Sequence, residues 1–461
     1  MGGRWRIDEK LTEKRKRMMQ TAGKQENEKK KRWNVEVYTA LIGILAVVIL
    51  FVGVWAVQRR KNQTLVLKFG MFAGSYWDVP NGDCYQVIDD AIARFEQKHP
   101  GVKVEYTSGV LKEDYIEWLS EQVLLGEEPD VFMIPDGEME NMISLNILKN
   151  LDRQIREDPS FSKEDYYPAT FAGGTARNGQ YALPYECVLT LMFVNRTLLD
   201  QAGIPMPKEN WTWDEFFEIC KQVTQDLNGD GKFDQYGVLD YNWQYAMRAS
   251  GMELFDANGT TSFFGDQKVE EAVSFLITLR ALNQGHLVTS KEFDQGNVAF
   301  QPMTYAEYKT YKPYPWRIKK YSEFEWDCVA MPEKTAGSGR TALDTLLMGV
   351  SSRTKKENLA WEFLKELCYD LETQSQIPEL ASGLPVIRQA VEQIQAEDIN
   401  MAVVRDAMEF AEPMPHFVGY QDAMELADQR IQEMVDDGVA LDTKLLKLQR
   451  EINTLLKNET R

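Results

Sequence analysis

"CYQVIDDAIARFEQKHPGVKVEY" (84–106) joins an amphipathic helix directly to a short strand, and this unit decides the fold class. Apolar residues share one helical face, at Val87, Ile88, Ala91, Ile92 and Phe95. His99, Pro100 and Gly101 end the helix, and "VKVEY" (102–106) follows as a strand. The stretch therefore predicts a helix packed on a sheet.

The neighbouring segments extend this unit in both directions. "LVLKFGMF" (65–72) precedes it as a buried strand, whereas "EDYIEWLSEQVLLG" (113–126) and "DVFMIP" (130–135) follow as a second helix and a third strand. The order β-α-β-α-β predicts an open α/β sheet with parallel strands. Ligands of such sheets bind beyond the carboxyl ends of the strands, here at 73–83 and 136–140.

Three later segments contain local structural signals. "YALPYECVLTLMFVN" (181–195) is apolar, but Pro184 argues against a central strand and for a bend. "TWDE" (212–215) is a capping box that predicts the start of a helix. "YGVLDY" (236–241) is typical of a strand.

Charge divides the 461 residues unevenly. Residues 1–61 carry 15 Lys and Arg against six Asp and Glu, whereas the total net charge of −19 leaves −28 on residues 62–461. An acidic body argues against nucleic acid and anionic ligands and suits neutral or cationic ones. We therefore expect no nucleic-acid partner, and we expect a monomer.

An uncharged run of 20 residues, "YTALIGILAVVILFVGVWAV" (38–57), is long enough to span a bilayer. Twelve Lys and Arg precede it, and its end is a poor cleavage site, so an uncleaved anchor is favoured over a signal peptide. The sequence predicts a basic cytoplasmic arm (1–34), a single-pass transmembrane anchor (35–58) and an extracellular body at the cell membrane.

The five cysteines are widely spaced and odd in number, which favours buried free thiols over a disulfide framework. The three histidines, His99, His286 and His416, form no metal-ligand spacing. No Walker A or G-x-S-x-G motif occurs.

Eight segments in a fixed order carry a family resemblance: "SYWDVPNGD", "DDAIARFEQKHPGVKVEY", "EEPDVFMI", "GQYALPYE", "LMFVNRTLLDQAGI", "WTWDEF", "DLNGDGKFDQYG" and "LAWEFLKEL". Together they resemble the extracellular solute-binding proteins of bacterial ABC sugar importers, the family of maltose-binding protein. The resemblance covers roughly residues 65 to 455. Gram-positive members are usually lipoproteins, but no cysteine follows the apolar run of this chain before Cys84.

The resemblance implies a periplasmic-binding-protein-like fold with two α/β lobes, joined by a three-stranded hinge. The crossings would lie near Pro184–Glu186, at 344–352 and after 382–388. Lobe 1 would comprise 62–185 and 347–390, and lobe 2 would comprise 186–346 and 391–461. The partners implied are a carbohydrate, most simply an oligosaccharide, and the permease subunits of an ABC transporter.

Sugars offer apolar C–H faces that pack on aromatic rings and hydroxyl groups that donate to carboxylates. Trp77 and Asp78 follow the first strand, and Asp136 and Glu138 follow the third, so we expect them to bind ligand. Glu186 lies at the first crossing, where the resembled family places a ligand carboxylate. For each of these residues a purely structural role is the alternative.

Four aromatic residues complete the expected ligand site. Trp243, Tyr305 and Phe417 match segments in which the resembled family has cleft aromatics, and each is equally compatible with a core position. Trp316 lies in an aromatic and basic segment, "YKPYPWRIKKY" (311–321), that also suits a solvated surface.

The segment "DLNGDGKFDQYG" (226–237) begins like a calcium-binding loop but ends at Gly237, where an EF-hand needs glutamate. A strand, not a second helix, follows it, so an EF-hand is excluded. A weak structural calcium site remains the interpretation, against an acidic turn without an ion. Its expected ligands are Asp226, Asn228, Asp230, the carbonyl of Lys232, Asp234 and Gln235.

Two alternative functions stay open. Paired cleft carboxylates are also the catalytic groups of glycoside hydrolases, although no catalytic motif is recognised. A tethered sugar sensor is the other alternative, but an arm of 34 residues is short for a signalling domain. The sequence favours a binding protein over an enzyme.

Overall fold

The computed structural model describes residues 64–79, 84–311, 324–337, 340–396, 399–438 and 440–459, with scattered positions between 13 and 51. The chain divides into two compact units, one formed by Met1–Leu65 with Gly101–Lys103 and the other by Val66–Pro100 with Val104–Arg461. In the first unit, the described positions between 13 and 51 are helical and exposed. In the same unit the amide of Leu65 donates to the carbonyl of Gly101 at 2.8 Å.

The predicted membrane anchor (35–58) falls mostly on residues outside the described part of the chain. Among the described residues, no helix combines the length and the apolar character that crossing a membrane requires. The anchor and the basic arm before it therefore stay predictions.

Helices and strands alternate through most of the second unit. The helices are α1 (Cys84–Lys98), α2 (Lys112–Leu125), α3 (Met139–Ser144), α4 (Asp152–Glu157), α5 (Pro168–Gly173), α6 (Arg196–Ala202), α7 (Trp213–Val223), α8 (Trp243–Ala249), α9 (Gln267–Ala281), α10 (Ser290–Asp294), α11 (Tyr305–Tyr311), α12 (Glu357–Cys368), α13 (Leu371–Leu380), α14 (Arg388–Glu392), α15 (Met401–Glu409), α16 (Tyr420–Asp437) and α17 (Leu441–Glu459).

Ten of the described strands form one mixed sheet. The strands are β1 (Leu65–Gly70), β2 (Val102–Tyr106), β3 (Val131–Met133), β4 (Thr175–Ala176), β5 (Gly179–Gln180), β6 (Ala182–Asn195), β7 (Tyr236–Val238), β8 (Val298–Thr304), β9 (Trp326–Val329), β10 (Ala342–Val350), β11 (Leu384–Pro385) and β12 (Glu412–Pro413). The main order is β2-β1-β3-β10-β6-β8-β7; β9 and β11 pair with β6, and β12 pairs with β10. Strands β4 and β5 form a separate pair.

The parallel pairing predicted for the first strands is confirmed. Strand β1 runs parallel to β3, with Phe69 opposite Val131. Strand β10 then pairs antiparallel with both β3 and β6. The carboxyl ends of β1 and β3 therefore lie at one edge, where the loops that begin at residues 71 and 134 emerge.

The prediction that Pro184 excludes a central strand is wrong. All 14 residues of β6 are buried, and β6 pairs with β10 despite the proline. The register explains this exception, because Leu346 faces Glu186 while Leu347 faces Pro184, so Tyr185 is skipped. The expected irregularity is present as a bulge, where a missing N–H is tolerated.

Two of the three segments predicted as crossings between lobes, Pro184–Glu186 and 344–352, pair with each other in the sheet. The third, expected after 382–388, stays a prediction. Glu186 of β6 faces Leu346 of β10 and also Pro385 of β11. The second half of β6 pairs with β8, where Leu191 faces Met303. Strand β6 thus continues from one group of strands into another, although the boundaries assigned to the two lobes remain a prediction.

Separate clusters of aromatic and aliphatic side chains lie on the two halves of the sheet. Phe363 of α12 packs edge-on against Phe69 and Phe95, with ring centroids 5.4 and 5.0 Å apart. On the other half, Phe216 and Phe300 belong to a buried cluster that includes α9, α16 and α17. Burial of this apolar area supplies the main stabilisation of the fold.

Two further sequence predictions are confirmed. Thr212 and Glu215 form the predicted capping box at the start of α7. Four cysteines, Cys187, Cys220, Cys328 and Cys368, are buried free thiols, whereas the side chain of Cys84 lies outside the described part.

Candidate functional site

Tyr76 and Asp136 meet at the carboxyl ends of β1 and β3. Tyr76 is only 8% exposed, and its hydroxyl group lies near the carboxylate of Asp136. Burial raises the pKa of Tyr76 strongly, and the charges of Asp344, Asp136 and Asp78 raise the same pKa further. The two loops thus place an aromatic ring and several acceptor oxygens close together.

Trp77 occupies the centre of the loop after β1. Its indole Nε1 donates to Oε1 of Glu186 at 2.9 Å. Its ring meets the ring of Tyr76 edge to face, with centroids 4.7 Å apart and planes at 89°. The side chain is half-buried, so part of the indole remains accessible.

Glu186 is buried where β6, β10 and β11 meet. The side chain is 6% exposed, and its carboxylate accepts hydrogen bonds from the indole of Trp77 and from the backbone amide of Gly383. Burial raises the pKa of Glu186, while these bonds and the charge of Lys309 act in the opposite direction. The carboxylate that the sequence analysis expected to bind a ligand is therefore hydrogen-bonded to groups of the protein itself.

Asp78 and Glu138 lie at the same edge but form local contacts. Asp78 has a positive φ of 57°, which aspartate tolerates better than most residues, and forms an ion pair with Lys112 at 2.7 Å. Glu138 accepts a hydrogen bond from Asn141 within the start of α3. Both remain predicted ligand residues, with part of their acceptor capacity used by neighbours.

Asp344 is a carboxylate that the sequence analysis did not assign to the site. It lies on β10, half-buried. Burial, and then the nearby charge of Asp136, raise the pKa of Asp344 to about 6. One signal was available in the sequence, because Asp344 is the single charged residue in the apolar segment "ALDTLLMGV" (342–350).

Arg248, His416 and Tyr420, which the sequence analysis did not name, complete the candidate cluster. Its other members are Tyr76, Trp77, Asp136 and Asp344. Burial raises the pKa of Tyr420, the charges of Asp344 and Asp136 act in the same direction, and Arg248 lowers that pKa. His416 contacts the backbone of Gly173, burial lowers its pKa, and its Nε2 has no hydrogen-bond partner among the described residues. A polar atom of this kind is available to a ligand.

The loop after β3 approaches α16 very closely. A Cβ atom on Gly137 would meet the side-chain amide of Gln421, which would have to move to make room. Gly137 also has a positive φ of 72°, which favours glycine. This contact brings Asp136 and Tyr420 to the same place.

Three of the remaining predicted aromatics are described, and one of them, Phe417, packs against Tyr420 with ring centroids 5.3 Å apart. Trp243 is 5% exposed in the hydrophobic cluster, and its Nε1 donates to Asp428 at 2.5 Å. Tyr305 is 4% exposed at the start of α11. Phe417 packs against Phe255 with centroids 5.0 Å apart. Trp316 is outside the described part, and for all four a ligand contact stays a prediction.

The acidic loop at 226–235 is folded by its own backbone. Asp226 accepts from the amides of Gly229 and Gly231 at 2.7 and 2.8 Å, and Asp234 accepts from that of Leu227 at 2.8 Å. The amide of Lys232 donates to Asp230 at 2.8 Å. Gln235 pairs through its backbone with Gln225.

This arrangement does not by itself fit a metal ion. Within the described residues, no three or more His, Cys, Asp or Glu side chains lie together as metal ligands would. Backbone donors instead neutralise the charge of the loop, and they lower the pKa of Asp226. A calcium ion would need its ligand oxygens to turn inward, so the calcium site stays a prediction.

The cluster combines aromatic surface with carboxylate acceptors and one nearby guanidinium. Tyr76 and Trp77 supply the rings, Asp136 and Asp344 supply acceptors, and Arg248 supplies donors. Apolar C–H groups pack on aromatic rings, and hydroxyl groups donate well to carboxylates. The arrangement therefore suits a neutral polyhydroxylated ligand.

Comparison with known proteins gives one family and a consistent fold. The model of the family described as "Bacterial extracellular solute-binding protein" matches residues 81–367. A galactooligosaccharide-binding protein of Bacillus subtilis (strain 168) is 22% identical over 361 residues, which cover 75% of this chain and 80% of the relative.

Two solved structures resemble the fold closely. The sugar-binding protein MalE from Xanthomonas citri superposes with a TM-score of 0.71 at 15% identity, covering 86% of this chain and 98% of that one. A cyclic alpha-maltosyl-1,6-maltose binding protein from Arthrobacter globiformis gives a TM-score of 0.70 at 17% identity, covering 86% and 99%. At these identities the likeness establishes the fold, which is two-lobed and of the periplasmic-binding-protein type.

The raised pKa of Asp344 predicts a pH-dependent cost to stability. Its pKa is about 6 in the folded state and about 3.9 in an unfolded chain, so the folded protein loses stability as pH rises from about 4 to about 6. Asp344→Asn cannot ionise. We expect its stability advantage over the parent to grow by on the order of 2 kcal/mol between pH 4.5 and pH 7.5.

Urea unfolding of both proteins at the two pH values measures this difference. Titrations common to both proteins cancel in the comparison, so the parent is the control. An Asn variant whose advantage is the same at both pH values would show that Asp344 titrates normally.

Proposed function

Because this chain belongs to the family of bacterial extracellular solute-binding proteins, we propose that it captures a carbohydrate and delivers it to the permease of an ABC transporter. The earlier resemblance to this family is confirmed. The observation that carries the carbohydrate proposal is the convergence of Tyr76, Trp77, Asp136 and Asp344 at the carboxyl ends of neighbouring strands. Rings beside acceptors match the apolar faces and hydroxyl groups of a sugar.

An oligosaccharide is the proposed ligand. The similar protein of Bacillus subtilis is named for galactooligosaccharides, and the Arthrobacter structure is named for a cyclic maltosyl-maltose. The acidic body also disfavours anionic solutes. The proposed action is binding without chemistry, since the family consists of binding proteins, and a ligand recovered unchanged after long incubation would agree with it.

A thermal-shift screen of the purified protein against mono- and oligosaccharides tests this function. A ligand that binds only the folded state, supplied at about 100 times its Kd, adds about 2.7 kcal/mol of apparent stability. We expect an oligosaccharide to raise the melting temperature of the parent. Trp77→Ala removes the accessible ring, so its Kd should rise by about 5- to 150-fold, equivalent to about 1–3 kcal/mol.

The matched control is Ser144→Ala, which changes an exposed residue of α3 near the same edge but removes no ring or carboxylate and no bond to Glu138. It should bind like the parent. If no sugar shifts the parent, the carbohydrate proposal fails. If sugar binds and Trp77→Ala binds equally well, the assignment of Trp77 fails while the function stands.

We also propose that residues 35–58 anchor the mature protein in the cell membrane, with the body outside. The uncharged run of 20 residues and the excess of basic residues before it support this topology. Tethering would keep the body beside its permease at high effective concentration. Mass spectrometry of the mature N-terminus should find residues before 35, whereas a start after residue 57 would indicate a cleaved signal.

Calcium binding by the loop at 226–235 is proposed as a weak structural role, with a Kd of roughly 10⁻⁴–10⁻³ M. Asp226, Asp230 and Asp234 place three negative charges within nine residues of sequence, and a cation would reduce their repulsion. We expect millimolar calcium to raise the melting temperature of the parent but not that of Asp230→Ala. Equal behaviour of the two proteins would identify the loop as a turn held by its backbone bonds alone.

A further inference from the structure

We infer that Glu186 is a positioning residue, which acts on the bound solute by holding Trp77 rather than by touching the solute itself. This inference rests on the proposed function and assigns Glu186 a different role from the ligand carboxylate expected from the sequence. Four features of the described structure carry it.

The first feature is the occupancy of the carboxylate. Oε1 of Glu186 accepts from the indole Nε1 of Trp77 at 2.9 Å and from the backbone amide of Gly383. Both bonds are made by groups of the protein itself, and burial leaves this side chain only 6% exposed, so a solute hydroxyl has little room to reach the carboxylate.

The second feature is the fit of the backbone around this carboxylate. A Cβ atom on Gly383 would lie 2.6 Å from Oε1 of Glu186 and 2.8 Å from its Cγ. Only glycine therefore allows the segment before β11 to approach Glu186 closely enough to donate its amide. Glycine therefore occupies the position whose amide donates to the carboxylate.

The third feature is incomplete packing beside the residues that precede Trp77 in its loop. A cavity of about 20 Å³ is lined in part by Ser75, Tyr76, Glu186 and Ala381. This volume admits about one water molecule, so side chains do not fill the space. Packing alone therefore leaves the loop under-restrained, and the charge-assisted bond from Nε1 to Glu186 supplies the restraint.

The fourth feature is a cation that supports the carboxylate from another element. Nζ of Lys309, on α11, donates to the carbonyls of Pro378 and Ala381, both at 2.6 Å. These carbonyls lie at the end of α13, just before Ser382 and Gly383. The charge of Lys309 also favours the ionised form of Glu186 by lowering its pKa. The acceptor and its backbone donor are thus held together.

The consequence is preorganisation of the indole. A free tryptophan side chain loses rotamer freedom when a ligand packs on it, and a ring fixed in advance avoids that cost. A substitution of Glu186 should therefore change the affinity for the solute only when the side chain of residue 77 has an N–H group that can donate to it.

A double-mutant cycle in the full-length protein tests this dependence. Glu186→Gln nearly preserves shape but removes the charge, and Trp77→Phe keeps an aromatic ring but removes the donor. With an oligosaccharide found in the thermal-shift screen, we expect Glu186→Gln to raise Kd by about fivefold or more when Trp77 is present. In the Trp77→Phe background the same change should alter Kd by less than about twofold.

The matched control is Trp361→Phe. The Nε1 atom of Trp361 also donates to a carboxylate, that of Asp158, at 2.8 Å, but away from the cluster. This variant should keep the parent Kd, which separates loss of the Trp77 anchor from a general loss of one such bond. Melting temperatures of all variants confirm that each is folded.

Losses in Kd that multiply in the double variant would overturn the inference, since they would indicate that Glu186 contacts the solute directly. An unchanged Kd for Glu186→Gln in both backgrounds would overturn it as well. A parent that binds no sugar contradicts the proposed function instead, and a ligand-free measurement then decides the inference. In ¹⁵N NMR, the Trp77 indole signal, assigned from its loss in Trp77→Phe, should shift and exchange faster in Glu186→Gln; an unchanged signal would refute the anchor.

Discussion

The backbone of β6 imposes the constraint on which the rest of the structure depends. All 14 of its residues are buried, and a buried N–H or C=O group without a partner is costly. The strand therefore needs partners on both sides, which β10 and β11 supply for its first half and β8 and β9 for its second. Where Pro184 has no N–H to donate, the register shifts and leaves a bulge.

The candidate site follows from this central position of β6. Glu186 is buried because it lies where β10 and β11 flank β6, and its carboxylate then requires donors from nearby segments. Trp77 and Gly383 supply them. Asp344, next to this junction on β10, keeps a raised pKa because burial and Asp136 both oppose its ionisation. The site thus combines groups that the fold holds at an energetic cost, as binding sites often do.

Sequence patterns predicted the early part of the fold well, because local rules act there. The periodicity of 84–98 and the capping box at Thr212 depend on neighbouring residues only, and both elements form as predicted. Pro184 was misinterpreted because the bulge that accommodates it is created by pairing with β10, more than 150 residues away. A local sequence pattern gives no information about such a distant partner.

The site was predictable in part for the same reason. Loops after parallel strands lie together by topology, so Trp77 and Asp136 could be named from the sequence. Asp344, His416 and Tyr420 come from distant segments, and their proximity depends on the whole sheet. Trp243 is a residue that was named from the sequence but lies in the hydrophobic core. A tryptophan at the start of a helix has the same sequence pattern whether it is buried or lines a site.

The continuity of β6 has a mechanical consequence. A strand that passes without a loop from one group of partners to another offers no single swivel point, so a change of angle between the two halves must be spread as small backbone rotations over several residues. The bulge at Tyr185 interrupts the ladder with β10, so we expect part of the bending to occur there. We therefore expect the two halves to change their angle by gradual bending of β6 and β10 rather than by rotation about one hinge residue.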